Sequence, residues 1–226
     1  MSEFIPVGEV LGHKVGEFLC WPVFDVEAAE ERVRQLVELG VEAVALGGPH
    51  LVLAYPILGK GHTGIVLRAL YEGQEVALKV RRTDADRESM DAEAGVLSRV
   101  NGVGVGPLLF GFSRDFIVME LIVGRYLGDW LRDNLDDLDA VRGVLRGVLE
   151  IAWRLDFVGV DHGELTRVQR HYIVTDGGPR VIDFGSASTV RTPTNVTATA
   201  QSLFLRYGFL QLLGKVFPLP DREDVV

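Results

Sequence analysis

The chain has 226 residues, 47% of them apolar, a formal net charge of −9 and one cysteine, Cys20. That size suits one two-lobed domain or two small ones, the acidic balance gives no sign of a nucleic-acid partner, and a lone cysteine forms no internal disulfide, which makes a reducing cytoplasm the expected compartment. No apolar run approaches the ~18 residues of a membrane span, and "MSEFIPVGEV" has neither a basic nor an apolar leader stretch, so neither membrane insertion nor secretion is expected.

Along the chain, "VEAAEERVRQLVEL" (26–39) sets Ala29, Val33, Leu36 and Val37 on one helical face, with Asp25 as N-cap and Gly40 as stop. "VEAVAL" (41–46) reads as a short strand. Strands then dominate: "LVLAYPIL" (51–58), "GIVLRAL" (64–70), a turn at "YEGQ", and "EVALKVR" (75–81). A helix is expected over 84–99 with Met90, Ala94 and Leu97 inward, followed by strands at 108–113 and 116–122. From 127 the pattern turns helical, with a short helix at 127–134 and a long one at 137–157. A hairpin follows, "HYIVT" (171–175) and "RVIDF" (180–184), and then a loop and a last helix over 200–213. The expected organisation is α+β and bilobal. It comprises an N-terminal extension (1–50, a helix plus a short strand) packing on the first lobe, a β-rich lobe (51–122), a reduced and mainly helical lobe (123–214), and a loose tail (215–226). A cleft between two lobes is a usual place for a ligand.

Four groups of residues carry chemistry. "LGKGHTGIV" places Gly59, Gly61, Gly64 and Val66 in a G-x-G-x-x-G-x-V pattern. Glycines let the backbone approach phosphate oxygens. A strand–turn–strand follows instead of a helix, which favours a glycine loop inside a hairpin over a dinucleotide fold. "VALKV" then sets Lys79 among apolar neighbours, in a chain with four lysines and nineteen arginines. A buried lysine needs a partner; Glu93 on the next helix is preferred and Glu88 is the fallback. "VMELI" (118–122) ends an apolar strand at the proposed junction. Finally "VIDFG" puts Asp183 at a strand end, where a carboxylate takes a divalent cation bridging phosphates.

The order of these elements, with "HGEL" (162–165) and "IDFGSAS" (182–188), resembles the protein-kinase-like fold over about residues 51–210. Within it, the chain looks most like the small atypical members: the RIO kinases, the small kinase of the KEOPS complex, and the archaeal predicted serine/threonine kinases. The resemblance implies a Mg-ATP-dependent phosphotransferase, or an ATPase acting on a partner complex. Its partners would be ATP, magnesium and an unidentified protein substrate. It assigns nucleotide contacts to Gly59, Gly61, Gly64, Val66, Ala77, Lys79, Met119 (gatekeeper), Glu120 and Ile122, the Lys79 partner role to Glu93, and magnesium to Asp183. His162 takes a scaffold role.

The chain departs from the general kinase pattern at several points. Glu164 stands where an aspartate is usual, as it does in the archaeal group. Its extra methylene moves the carboxylate by up to about 1.5 Å, against a tolerance where ~1 Å costs about a hundredfold in rate. Asp161 is an alternative base. The second metal-binding asparagine is missing, and Gln169 and His171 are the candidates to replace it. Arg167 and Arg170 are candidates to offset phosphate charge. No A-P-E segment follows the DFG, which weakens a protein kinase more than an ATP-binding phosphotransferase; the short second lobe, Glu164 and the missing asparagine motivate the competing reading of a nucleotide-binding module with little turnover.

Overall fold

The computed structural model describes residues 3–215 and 217–218. The chain divides into two units: residues up to Gly95 with Leu108–Leu121, and Val96–Pro107 with the residues from Ile122 onward. The architecture is α+β, and every strand pairing among the described residues is antiparallel.

In the first unit, β1 (Ile5–Pro6) and a 3-10 turn lead into α1 (Lys14–Leu19), α2 (Val26–Glu38) and β2 (Val41–Ala45). Next come a hairpin of β3 (His50–Val52) and β4 (Tyr55–Ile57), then β5 (Gly59–Lys60), β6 (Gly64–Tyr71) and β7 (Gln74–Arg81). Helix α3 (Asp91–Asn101) starts in this unit, and β8 (Leu109–Phe112) and β9 (Phe116–Glu120) complete it. The main sheet runs β1-β2-β6-β7-β9-β8, with β5 also bonded to β6. Residues 1–50, expected as an extension, therefore supply two strands of that sheet.

The two-residue period of a strand sorts the side chains of this sheet. Ile65, Leu67, Val76, Leu78, Val80, Phe116 and Val118 join the apolar core with Phe18 and Leu36. Alternate residues of the same strands take the other face, and the candidate site is built there.

Several local expectations are revised. The strand expected over 51–58 is the hairpin β3–β4, turning at Leu53 (φ +50) and Ala54 (φ +68). That turn lacks the usual glycine or asparagine, so no local signal marks it. The helix expected from 84 begins at Asp91, whose N–H meets the Ser89 hydroxyl, while the Met90 N–H bonds the Arg114 carbonyl. On α2, Val37 is exposed, and Arg32 and Gln35 are buried instead. Arg32 and Arg81 both meet the Asp115 carboxylate, at 2.8 and 2.6 Å, and Gln35 donates to it at 2.9 Å.

The second unit contains β10 (Arg125–Tyr126), α4 (Leu127–Asp133), α5 (Leu138–Phe157), the single turn α6 (Val168–His171), β11 (Tyr172–Thr175), β12 (Gly178–Val181), α7 (Asn195–Phe204) and α8 (Tyr207–Leu213). Asp137 caps α5 by accepting from the Ala140 N–H. Periodicity sets Val141, Val144, Leu145, Val148, Leu149 and Ala152 on one face of this helix; all are buried except Leu149, which is half-buried. The one helix expected over 200–213 is two, α7 and α8. The second hairpin strand ends at Val181, short of Asp183. Residues 96–107 were grouped by sequence with the first lobe but belong here, where Arg180 donates to the Gly106 carbonyl at 2.7 Å. The tail expected over 215–226 lies, apart from Lys215, Phe217 and Pro218, outside the described residues.

No helix among the described residues is long and apolar enough to cross a membrane.

Candidate functional site

In the first unit the register of β5, β6, β7 and β9 gathers the nucleotide-contact candidates. Gly59 opposes Val66, Val66 opposes Lys79, Ala77 opposes Met119, and Lys79 opposes Ile117. Directly opposed residues in antiparallel strands point to the same face. Gly59, Val66, Ala77, Lys79 and Met119 thus share the face opposite the apolar core.

The glycine segment is a tight hairpin. The Gly61 N–H bonds the Gly64 carbonyl at 2.8 Å, and the Leu58 N–H bonds the Val66 carbonyl at 3.0 Å. At Gly64 a side chain would sit 2.8 Å from the Val80 carbonyl and 3.3 Å from the Lys79 Cε. The absence of that side chain is what lets the Lys79 stem lie beneath the hairpin. Lys79 is 2% exposed, and its Nζ meets the Glu93 Oε1 at 2.5 Å; Glu93 is 5% exposed and its other oxygen accepts from Arg87 at 3.1 Å. Glu88, the fallback partner, is exposed. At Glu120 the backbone N–H is already bonded to the Leu108 carbonyl, and its carboxylate accepts from the Leu108 N–H. Ile122 follows β9 in non-strand backbone and belongs to the second unit.

The second unit assembles the "DHGELT" loop against "IDFGSAS". Asp161 and Ser188 exchange two backbone hydrogen bonds, of 2.9 and 2.8 Å, which clamp the two segments together. Gly163 (φ +84) lies so close to the Ser186 carbonyl and the Arg191 guanidinium that a Cβ would approach them to 2.8 and 2.6 Å. Only glycine meets both the left-handed backbone and that contact. His162, fully buried, donates from Nε2 to the Ile182 carbonyl at 3.1 Å, next to Asp183. Its Nδ1 is buried without a hydrogen-bond partner. A second ring proton would have no acceptor. Burial, with His171 beside it, accordingly drives the His162 pKa down to about 4.

Asp183 sits in the left-handed region (φ +65), where a non-glycine residue is strained by roughly 1–3 kcal/mol. Its Oδ1 accepts from the Gly185 N–H at 3.4 Å. Burial and the Asp183 charge together raise the Tyr126 phenol pKa above its ordinary value. Phe184 is buried against His162, 5.2 Å between ring centroids, and against Gly106, where a Cβ would come within 2.8 Å of the ring.

Glu164 is held at both oxygens. The Ser186 hydroxyl donates to Oε1 at 2.5 Å, and the His171 Nε2 faces Oε2 at 3.3 Å. Asp161, the alternative base, has its carboxylate bound by Arg191 at 2.6 Å. Arg167 and Arg170 are exposed. The Ser186–Glu164 contact lies outside what sequence reasoning found. The two residues are 22 positions apart on loops with no periodicity to align them.

Among the described residues no group of three or more His, Cys, Asp and Glu side chains forms a metal cage. Magnesium asks for less, usually one or two protein oxygens, with phosphates and water completing its shell. Asp183 offers a carboxylate. Gln169 offers an amide oxygen that is buried and without a hydrogen-bond partner. His171 presents nitrogen and already faces Glu164. Of the two substitutes for the missing asparagine, Gln169 fits the cation better.

No protein-family model matches the chain. An uncharacterized protein of Methanocaldococcus jannaschii is 33% identical over 79 residues, which cover 34% of this chain and 67% of that protein.

Proposed function

The chain belongs to the family of that uncharacterized Methanocaldococcus jannaschii protein, and we propose that it is a Mg-ATP-dependent phosphotransferase of the atypical, RIO-like serine/threonine kinase type, with a kinase-like fold. The observation that carries this reading is the buried Lys79–Glu93 pair under the glycine hairpin, on the same sheet face as Gly59, Val66, Ala77 and Met119. Taking two charges out of water is expensive unless a further interaction repays it. A lysine held by a glutamate beneath a glycine hairpin is arranged to receive phosphate oxygens.

In the first unit the hairpin backbone and Lys79 would bind the phosphates, and Ala77 and Met119 would bound the base. In the second, Asp183 and Gln169 would hold magnesium, which when bound neutralises charge developing on the transferred phosphoryl group. Glu164 would accept the proton of the attacking hydroxyl. His162 holds the backbone before Asp183, and His171 holds Glu164 in place.

Calorimetry with ATP and magnesium, together with ADP release, tests this reading. Binding and turnover are expected in the native chain, with both ATP binding and turnover weakened in Lys79→Ala and turnover abolished in Asp183→Ala. Undiminished turnover in Asp183→Ala rejects the metal assignment. The second reading, a nucleotide-binding module with little turnover, draws on the engagement of both Glu164 oxygens by Ser186 and His171. Background turnover alongside tight ATP binding would favour it.

A further inference from the structure

The residue hydrogen-bonded to the proposed base is a serine. Ser186 is exposed, and its hydroxyl already points its proton at the Glu164 Oε1 from 2.5 Å. That is the relation a general base needs to the nucleophile it deprotonates. The other Glu164 oxygen is steadied by His171 at 3.3 Å, which leaves Oε1 as the proton-accepting atom. Ser186 also lies three residues past Asp183, on the segment clamped to the Glu164 loop by the Asp161–Ser188 backbone pair.

We infer that Ser186 is the chain's own phosphorylation site, modified in cis with Glu164 as base and ATP as donor. The step balances as follows. Ser186 Oγ forms a bond to the γ-phosphorus while the bond from that phosphorus to the β,γ-bridging oxygen breaks. The hydroxyl proton passes to Glu164 Oε1, and ADP leaves with the bridging oxygen.

The surroundings suit the product. A cleft of about 230 Å³ in the second unit is bordered by Ser186, Arg191, Thr166 and Thr194. The Arg191 guanidinium already donates to the Ser186 carbonyl at 2.6 Å and is half-exposed. A phosphoserine repelled by Glu164 would turn toward that guanidinium, which pairs well with phosphate. Phosphorylation would also remove the Ser186 hydrogen bond from Glu164, freeing the base for a second acceptor.

This inference rests on the phosphotransferase reading, and the test separates the two. The full-length chain is incubated with ATP and magnesium. ADP is measured, and the modified residue is located by peptide fragmentation. The expected result is one phosphoryl group on Ser186, added with a half-time independent of protein concentration. Ser186→Thr should carry phosphothreonine at the same position. Ser186→Ala should carry none there, and Glu164→Gln should be slowed about a hundredfold or more. ADP release with phosphate elsewhere, or nowhere on the chain, overturns the Ser186 assignment and leaves the phosphotransferase reading standing. Modification of Ser186 that slows on dilution overturns the cis geometry. Neither ADP nor phosphoserine overturns both.

Discussion

Single residues carry the candidate site, and their costs can be compared. Removing one partner of a buried ion pair strands a charge, at roughly 3–5 kcal/mol. Glu93 keeps Arg87 when Lys79 is lost, at 3.1 Å. That remaining contact should soften the cost of Lys79→Met, and the Lys79→Met/Glu93→Leu double variant should lose less than the two single losses summed, as read from urea unfolding. At Gly64 the substitution to Ala should shift the Val80 carbonyl and crowd Lys79. We expect a loss of ATP affinity larger than the loss of stability, measured by calorimetry alongside melting. His162 makes a pH prediction. Its folded-state pKa of about 4 lies below the ordinary 6.5. Between those values the unfolded chain binds a proton that the folded chain does not. Stability should therefore fall as pH drops from about 6.5 to about 4, by a few kcal/mol at most. A His162→Gln variant, whatever its stability at pH 7, should show a flatter slope in that window. The Lys79–Glu93 pairing was legible because each residue sits at a patterned position, an apolar strand and a helix face; Asp183 lies beyond the strand expected to end at it, which stops at Val181. Ser186 was not legible, because its role is a contact between two irregular loops.

At the level of elements, periodicity located most helices and strands and misplaced their ends. Its principal error was α2. Arg32 and Gln35 fall on the inward face because Asp115, some 80 positions later, supplies them with a buried partner. A polar residue in a helical pattern reads as solvent-facing unless that distant partner is known. Helix α7 has a similar cause. Asp156, at the end of α5, accepts from the N–H groups of Asn195 and Val196 at 2.9 and 3.0 Å. It also holds the buried Asn195 side chain, which in turn accepts from the His162 N–H. A carboxylate at a helix N-terminus satisfies orphan donors and the helix dipole together. Asp156→Ala should cost about 2 kcal/mol and loosen the Glu164 loop through Asn195. Faster amide exchange at His162, with the α5 amides nearly unchanged, would confirm the route; uniform exchange along both helices would reject it.

For the whole molecule, acid should be the sensitive condition. Burial pushes the Asp115 carboxyl up, but the Gln35 hydrogen bond and the Arg32 and Arg81 charges outweigh it and hold its pKa below the usual carboxylate value. Its contribution is complete above about pH 4 and is lost as pH falls through the lower folded-state value. Asp115→Asn should destabilise at neutral pH by about 3–5 kcal/mol and flatten the acid limb of the melting curve; an unchanged limb would place the sensitivity elsewhere. Mg-ATP should raise the melting temperature by mass action, and less so in Asp183→Asn. By itself the sequence determined the α+β class, the antiparallel hairpins, the main helices and the face that carries Lys79. These follow from spacings of two and of about 3.6 residues, which are local. Only the tertiary structure decided that residues 1–50 extend the main sheet, that residues 96–107 join the second unit, and that Glu164 is held between Ser186 and His171. Those arrangements depend on partners far apart in the chain, brought together by hydrogen bonds and close backbone approaches that no local pattern encodes.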